Sequence, residues 1–261
     1  EELGVESSMI VVRGVDTDVS PFDAGSYASS GTYVTGLAAK NAATELREKI
    51  CAKAAQMWDV DAADVVFDGQ YVRLSDERAA REQNRYLTLR DFANLCVKNI
   101  AGGDALTSHA SACLPVSPPP FMAGIAEVEV DKATGKVTVV DYVAAVDCGT
   151  VINEALARVQ AEGGIAQGIG HALYEIVEHD ERGRLRTGNF MSYKLPTRLD
   201  IGSIRVAFEP SYEPTGPFGA KSIGEVVINT PLAAVASAVA HATGHQVRSL
   251  PITPEKALLG E

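Results

Sequence analysis

The sequence predicts an α+β fold of mixed sheets with packed helices, divided into two regions, 1–114 and 115–261. Three observations carry this expectation. Strand-like and helix-like segments recur along the chain without the strict β-α-β alternation of a parallel α/β protein. Two long alternating runs, Phe121–Asp131 and Lys136–Asp147, are joined by the short Lys132–Gly135 segment and read as a hairpin. Pro115–Pro120, rich in proline, is a stiff connector at the change of region.

The elements follow in order. Glu1–Gly4 reads as the end of a helix, Met9–Arg13 as a strand, and Asp16–Ser30 as a loop rich in Asp, Ser and Gly. From Gly36 to Trp58, Leu37, Leu46, Ile50, Ala54 and Met57 recur at helical spacing. Val65–Leu74 predicts a small hairpin around Asp68-Gly69, because this dipeptide readily adopts the positive φ angles of a two-residue turn. Thr88 caps a helix running to about Asn99. In the second region a long helix follows Asn153, interrupted or initiated near Gly163-Gly164. Strand-like segments lie near Tyr174–Glu178 and Ile204–Glu209. A last helix is expected from about Thr230, with Pro231 in its first turn and Gly244 at its C-cap.

Composition narrows the function classes. The 261 residues are 46% hydrophobic and 22% charged, enough for one large core or two modest ones. The net charge of −11 argues against a nucleic-acid partner, since phosphates would be repelled. No uninterrupted apolar run approaches the length of a membrane span, and no secretory signal opens the chain. Cys51, Cys96, Cys113 and Cys148 form no C-x-x-C pair, so neither an iron–sulfur cluster nor a zinc site is readable; reduced thiols and a cytoplasmic location are expected. The start at Glu1, without Met, reads as a fragment or as one piece of a larger polypeptide.

Three segments carry chemistry. In Tyr212–Asn229, Gly216, Gly219 and Gly224 with Pro214 and Pro217 impose an irregular backbone that a ligand could approach closely. Glu225 then enters the apolar run Val226–Ile228, which should partly desolvate its carboxylate and strengthen it as a base. Spacing alone is equally met by a surface glutamate after a Gly-Pro loop. In Asp16–Gly36, small and hydroxyl residues feed a helix start, which suits a phosphate or the polar edge of a pterin but also a plain helix cap. In Gln160–Gly170, Gln160 and Gln167 offer donors and acceptors, and the glycines permit tight packing against a flat cofactor. The glycines of this segment do not follow a strand with a downstream acidic partner, which excludes a Rossmann site. His109, His171, His179, His241 and His245 lack metal-ligand spacing and read as structural or solvated, so no metal ligand is assigned.

Taken together, Gly-Ala-Lys-x-x-Gly-Glu before an Asn-Thr-Pro helix start, Gln-x-Glu-Gly-x-x-x-Gln-Gly, and Asp-x-Gly-x-x-Ile-Asn at Asp147–Asn153 resemble the molybdenum hydroxylases of the xanthine dehydrogenase family. The resemblance covers nearly the whole chain and matches the C-terminal part of the molybdopterin-binding subunit. It implies that Glu225 is the general base and that Ser222, Ile223 and Gly224 lie beside the cofactor. It further implies that Ala28, Ser29 and Ser30 form a pterin-contacting loop and that Gln160 contacts the cofactor near the metal. Many relatives carry Arg where this chain has Ser30.

The implied cofactor is a molybdenum pterin, its metal bound by dithiolene sulfurs with oxo, hydroxo and sulfido or selenido ligands. Iron–sulfur clusters and FAD are implied on other domains or subunits. The implied partners are the N-terminal half of the molybdenum-binding polypeptide, the iron–sulfur and flavin subunits, and a small-molecule substrate. The implied reaction hydroxylates an electron-poor carbon of an N-heterocycle, with xanthine or another purine favoured and water as oxygen source. Nicotinate, an aldehyde or hydroxybenzoyl-CoA is the alternative within the family. A non-catalytic cofactor-binding module is the alternative outside it.

Overall fold

The computed structural model describes residues 1–98, 105–113 and 116–260. It divides into two compact units. One comprises Glu1–Gly25 with Val34–Leu114, the other Ser26–Tyr33 with Pro115–Glu261. The Ala28–Ser30 loop, expected on the first region, therefore belongs to the second unit.

In the first unit, helix α1 (Gly36–Trp58) ends where Asp59 adopts a left-handed conformation. Strands β1 (Val65–Phe67) and β2 (Tyr71–Leu74) form the expected hairpin, with Asp68 Oδ1 accepting from the backbone of Gln70 and Tyr71. A short helix α2 (Glu77–Glu82) and strand β3 (Tyr86–Thr88) follow, and the antiparallel sheet has the order β1-β2-β3. Helix α3 (Leu89–Val97) is capped by the Thr88 hydroxyl accepting from Asp91 N–H; the end expected at Asn99 lies outside the described residues. Ile50, Ala54, Phe67, Val72, Phe92 and Cys96 form the core of this unit.

The expected strand at Met9–Arg13 is not present. A 3-10 turn covers Ser7–Met9, and Ile10, Val11 and Val12 are exposed and belong to no sheet. A β-branched run satisfies strand propensity, but a strand also needs a hydrogen-bonding neighbour. Glu1–Gly4 is an isolated turn rather than a helix end.

In the second unit, β4 (Phe121–Val130) and β5 (Val137–Asp147) pair antiparallel with a register shift at Glu127/Val128. Strand β6 (Ser203–Phe208) lies parallel to β5, giving the mixed order β4-β5-β6. The parallel pairing follows from the crossover through helix α4 (Glu154–Leu173), a local β-α-β unit inside the α+β architecture. Helix α4 is continuous through Gly163-Gly164, and the Asn153 side chain caps its start by accepting from Leu156 N–H. The strand-like reading of Tyr174–Glu178 fails; among the described residues a single His179–Leu185 bridge follows it before β6.

Helix α5 (Val226–Thr243) starts four residues earlier than Thr230 and ends at Gly244 in the left-handed conformation. Pro231 lies within it rather than in its first turn. Its ring packs opposite Gly168 of α4, where an added Cβ would come within 2.8 Å of it. Gly164 likewise admits Val227. Two glycines thus let α4 and α5 approach closely, a packing role the sequence had assigned to a cofactor face. Helix α5 is long and apolar enough to cross a membrane by length and composition, although Asn229, Thr230, Ser237 and His241 interrupt its apolar run, as the sequence expectation holds. It packs on β4 and α4, and Val227, Pro231, Val235 and Val239 are buried. A sixth helix, α6 (Pro254–Leu259), follows it and was not foreseen.

Candidate active site

The site gathers at the ends of β5 and α4 in the second unit. Strand β5 ends at Asp147, whose Oδ1 accepts from Gly149 N–H at 2.9 Å and from Ser211 Oγ at 2.6 Å. Its Oδ2 accepts from Lys221 Nζ at 2.6 Å. Burial pushes the Asp147 carboxyl up, but Lys221, Ser211 and the Gly149 amide more than offset this and hold it below the usual carboxylate range. Next to it, burial and then the Asp147 charge push the Cys148 thiol up, so it is protonated and neutral.

The segment that carries Lys221 is stitched to the strand end by its backbone. Thr150 N–H donates to Gly219 C=O at 2.9 Å and Lys221 N–H to Cys148 C=O at 2.8 Å. Gly149, at φ 71°, lies so close that a Cβ there would overlap the Gly219 carbonyl. From this anchor the chain runs through buried Ser222 and half-buried Ile223 and Gly224 to Glu225 at the N-cap of α5.

Glu225 is exposed in this chain, so the Val226–Ile228 run does not by itself desolvate the carboxylate. Successive helical residues are about 100° apart, so Val227 turns into the α4 contact while the capping residue stays outside. Glu225 Oε2 accepts from Ser29 Oγ at 2.8 Å. Among the described residues, its Oε1 accepts no hydrogen bond. Gln160 Nε2 donates to the Gly224 carbonyl at 2.9 Å, tying α4 to the residue before Glu225.

Two adjoining clefts meet here. One, about 460 Å³, is lined by Ser29, Thr150, Asn153, Gln160, Ile223 and Gly224 among others. The other, about 350 Å³, is lined by Gln160, Gly163, Gln167, Gly224 and Glu225. Of the residues singled out from sequence, Ser29, Gln160, Ile223, Gly224 and Glu225 converge on these clefts. Ala28 and Ser30 flank Ser29, and Ser222 is buried behind the lining. Sequence reasoning missed the Asp147–Lys221 pair and the hydroxyl of Thr150. Their only signal was membership of two motifs 74 residues apart.

The Ala28–Ser30 loop has an unusual backbone. Ala28 and Ser29 both adopt left-handed conformations, at φ 50° and 61°, and a π-helical turn, Gly31–Thr35, follows. Non-glycine residues in this region are strained and cluster at functional sites. The loop is anchored by a hydrogen bond between the Tyr33 and Thr215 hydroxyls. The larger cleft is walled by the polar groups of Ser29, Thr150, Asn153 and Gln160, by glycine backbone, by apolar Val151, Ile152 and Leu156, and by Lys221. That chemistry fits the heteroatom-rich edge of a pterin better than a bare metal ion, and no cluster of metal-ligating side chains occurs among the described residues.

The family model of the molybdopterin cofactor-binding domain matches residues 1–202. The chain belongs to this family. The match includes the Ala28–Ser30 loop and Gln160 and ends before the Gly219–Glu225 segment. This molybdopterin cofactor-binding domain is 35% identical over 258 residues to the xanthine dehydrogenase molybdenum-binding subunit of Escherichia coli O157:H7, covering 98% of this chain and 34% of that subunit. Among solved structures, it resembles quinoline 2-oxidoreductase from Pseudomonas putida 86 at 31% identity and a TM-score of 0.75, covering 88% of this chain and 30% of that one. It shares its fold with a Cu,Mo-CO dehydrogenase at a TM-score of 0.83 and 24% identity, covering 98% of this chain and 32% of that one. The chain thus spans about a third of the length of these relatives.

Proposed function

We propose that this chain is the molybdenum-cofactor-binding portion of an oxidoreductase that hydroxylates an electron-poor carbon of an N-heterocycle, xanthine or another purine being the favoured substrate. The observation that carries the reading is the meeting of Glu225, Ser29, Gln160 and Gly224 at one pair of clefts. Two relatives support the substrate class by their names, xanthine dehydrogenase and quinoline 2-oxidoreductase, which both refer to N-heterocycles.

Ala28, Ser29, Ser30, Gln160, Ser222, Ile223 and Gly224 would hold the molybdenum pterin. When bound, that group accepts the two electrons released as the carbon is oxidised. The chain's own contribution is positional and acid–base. Glu225 takes a proton from the water-derived oxygen at Oε1, while Ser29 keeps Oε2 in a hydrogen bond and fixes the carboxylate plane. Gln160 sets the position of Glu225 through the Gly224 carbonyl. The rest of the site is supplied by the remaining two-thirds of the family's polypeptide, and electrons leave through iron–sulfur and flavin partners. Exposed Ile10, Val11, Val12, Val15 and Phe22 favour further protein partners. A cytoplasmic location is supported by unpaired Cys51, Cys96, Cys113 and Cys148 and by the packing of α5 into the core.

The test is Glu225→Gln in the complete enzyme. Turnover should fall by roughly 10²–10⁴-fold, the usual worth of a general base, with molybdenum and pterin content unchanged. Retained turnover would remove Glu225 from the base role. Steady-state rates on purines, nicotinate and aldehydes decide the substrate; turnover confined to aldehydes would overturn the purine preference.

A further inference from the structure

A buried lysine is costly unless it is paired, and Lys221 is 8% exposed. Its ammonium reaches Asp147 Oδ2 and lies 5.3 Å from the centre of the Phe121 ring. Asp147 in turn is fixed by Ser211 and by the Gly149 amide, so its position is set by the end of β5 and not by the lysine. After the 3-10 turn Pro217–Gly219 and the isolated Gly149–Ala220 bridge, the chain to Glu225 belongs to no helix or strand. It is pinned at one end by Lys221 and by the backbone bonds to Cys148 and Thr150, and at the other by Gln160 on Gly224. The backbone bonds and the Gly149–Ala220 bridge pair the segment with the strand end. The ion pair penalises any slip from that register, because a slip leaves both charges unpaired in a poorly solvated place.

We propose that Lys221, through its ion pair with Asp147, is a positioning residue that fixes the register of the Gly219–Glu225 segment and thereby the place of the Glu225 carboxylate. The proposal rests on the reading of Glu225 as the base. Lys221 also lines the larger cleft, but its ammonium is engaged by Asp147, and its assigned role is positioning without contact to substrate or cofactor. The pair acts through three intervening residues, so its loss displaces the base and lowers the rate of the chemical step while leaving substrate binding largely intact.

The complete enzyme is made as Lys221→Met, Lys221→Arg, Lys221→Met with Asp147→Asn, and Glu225→Gln. Molybdenum content, thermal midpoint, kcat, KM and amide hydrogen exchange over 219–224 are measured on each. In Lys221→Met, kcat is expected to fall roughly tenfold or more with KM within about twofold, and exchange to quicken roughly tenfold. Lys221→Arg restores part of kcat. The double variant, which leaves no lone buried charge, regains thermal stability but not kcat. A merely structural pair would return both together, and that result would overturn the proposal. So would wild-type kcat in Lys221→Met. If Glu225→Gln keeps its turnover, the base reading fails instead; exchange over 219–224 then decides the clamp, and unchanged exchange in Lys221→Met refutes it.

Discussion

The hydroxyl of Ser29 donates to Oε2 of Glu225 at 2.8 Å, joining residues 196 positions apart in the sequence. Ser29 makes this contact from a left-handed backbone at φ 61°. Its side chain and its conformation can therefore be tested apart. Ser29→Ala and Ser29→Gly both remove the donor, and each should lower kcat/KM by roughly 10–150-fold, as expected for one lost hydrogen bond to a carboxylate. Glycine relieves the left-handed strain and alanine does not, so Ser29→Gly should be the more stable by about 1 kcal/mol. Steady-state kinetics and thermal midpoints of the two variants check both statements.

Gly163 and Gly164 are neighbours with opposite surroundings. A Cβ on Gly163 meets nothing within 4 Å, whereas one on Gly164 would overlap Val227 of α5. Gly163→Ala should stabilise α4 by about 0.5–1 kcal/mol, the difference in helix propensity. Gly164→Ala should cost about 1–3 kcal/mol by overpacking, and Val227→Ala in the same chain should return part of it. Denaturant midpoints of the three variants distinguish these outcomes.

A second close approach lies in the sheet. A Cβ on Gly124 of β4 would overlap the hydroxyl of Tyr142, which is fully buried and lies 3.0 Å from Thr230 Oγ1. Gly124→Ala should therefore destabilise the unit by about 1–3 kcal/mol. Tyr142→Phe removes the colliding oxygen and should offset much of that loss in the double variant, although alone it costs about 1 kcal/mol of hydrogen bonding. The test is a double-mutant cycle read by urea unfolding.

Asp147 predicts an acid-side loss of stability. Its folded pKa lies below the ordinary value because Lys221, Ser211 and the Gly149 amide outweigh the cost of burial. A depressed carboxylate contributes stability that is fully present above the unfolded pKa, about 3.9, and is lost as pH falls through the folded value. Asp147→Asn should remove this contribution at neutral pH and flatten the dependence below about pH 4. Unfolding midpoints measured against pH in the two proteins check the sign. A steeper acid loss in Asp147→Asn would contradict it.

Much of the fold was legible because local signals and tertiary packing agree. The helical period of Leu46, Ile50 and Ala54 places α1, Asp68-Gly69 makes a hairpin, Thr88 and Asn153 cap their helices, and Gly244 ends α5. The failures have two causes. Met9–Arg13 has strand propensity but no pairing partner, and β3 and α2 are too short for a periodic signal. At the site, motif resemblance singled out Ser29, Gln160, Gly224 and Glu225, which the fold brings together. The apolar neighbours of Glu225 do not bury it within this chain, because its helical position faces outward. The Lys221–Asp147 pair was invisible, since a charge pairing over 74 residues leaves no local pattern.

The parallel pairing of β5 with β6 has one more consequence. Both strands run toward the clefts, β5 delivering Asp147 and β6 leading through Glu209, whose N–H donates to Val146 C=O, toward Ser211. The two approaches to the site thus share a single datum. Drift of the sheet carries them in common mode and cancels from the distance between them. Heat should consequently spare the geometry of this half-site until the sheet itself melts, so that its loss and the unfolding of the second unit occur at one temperature.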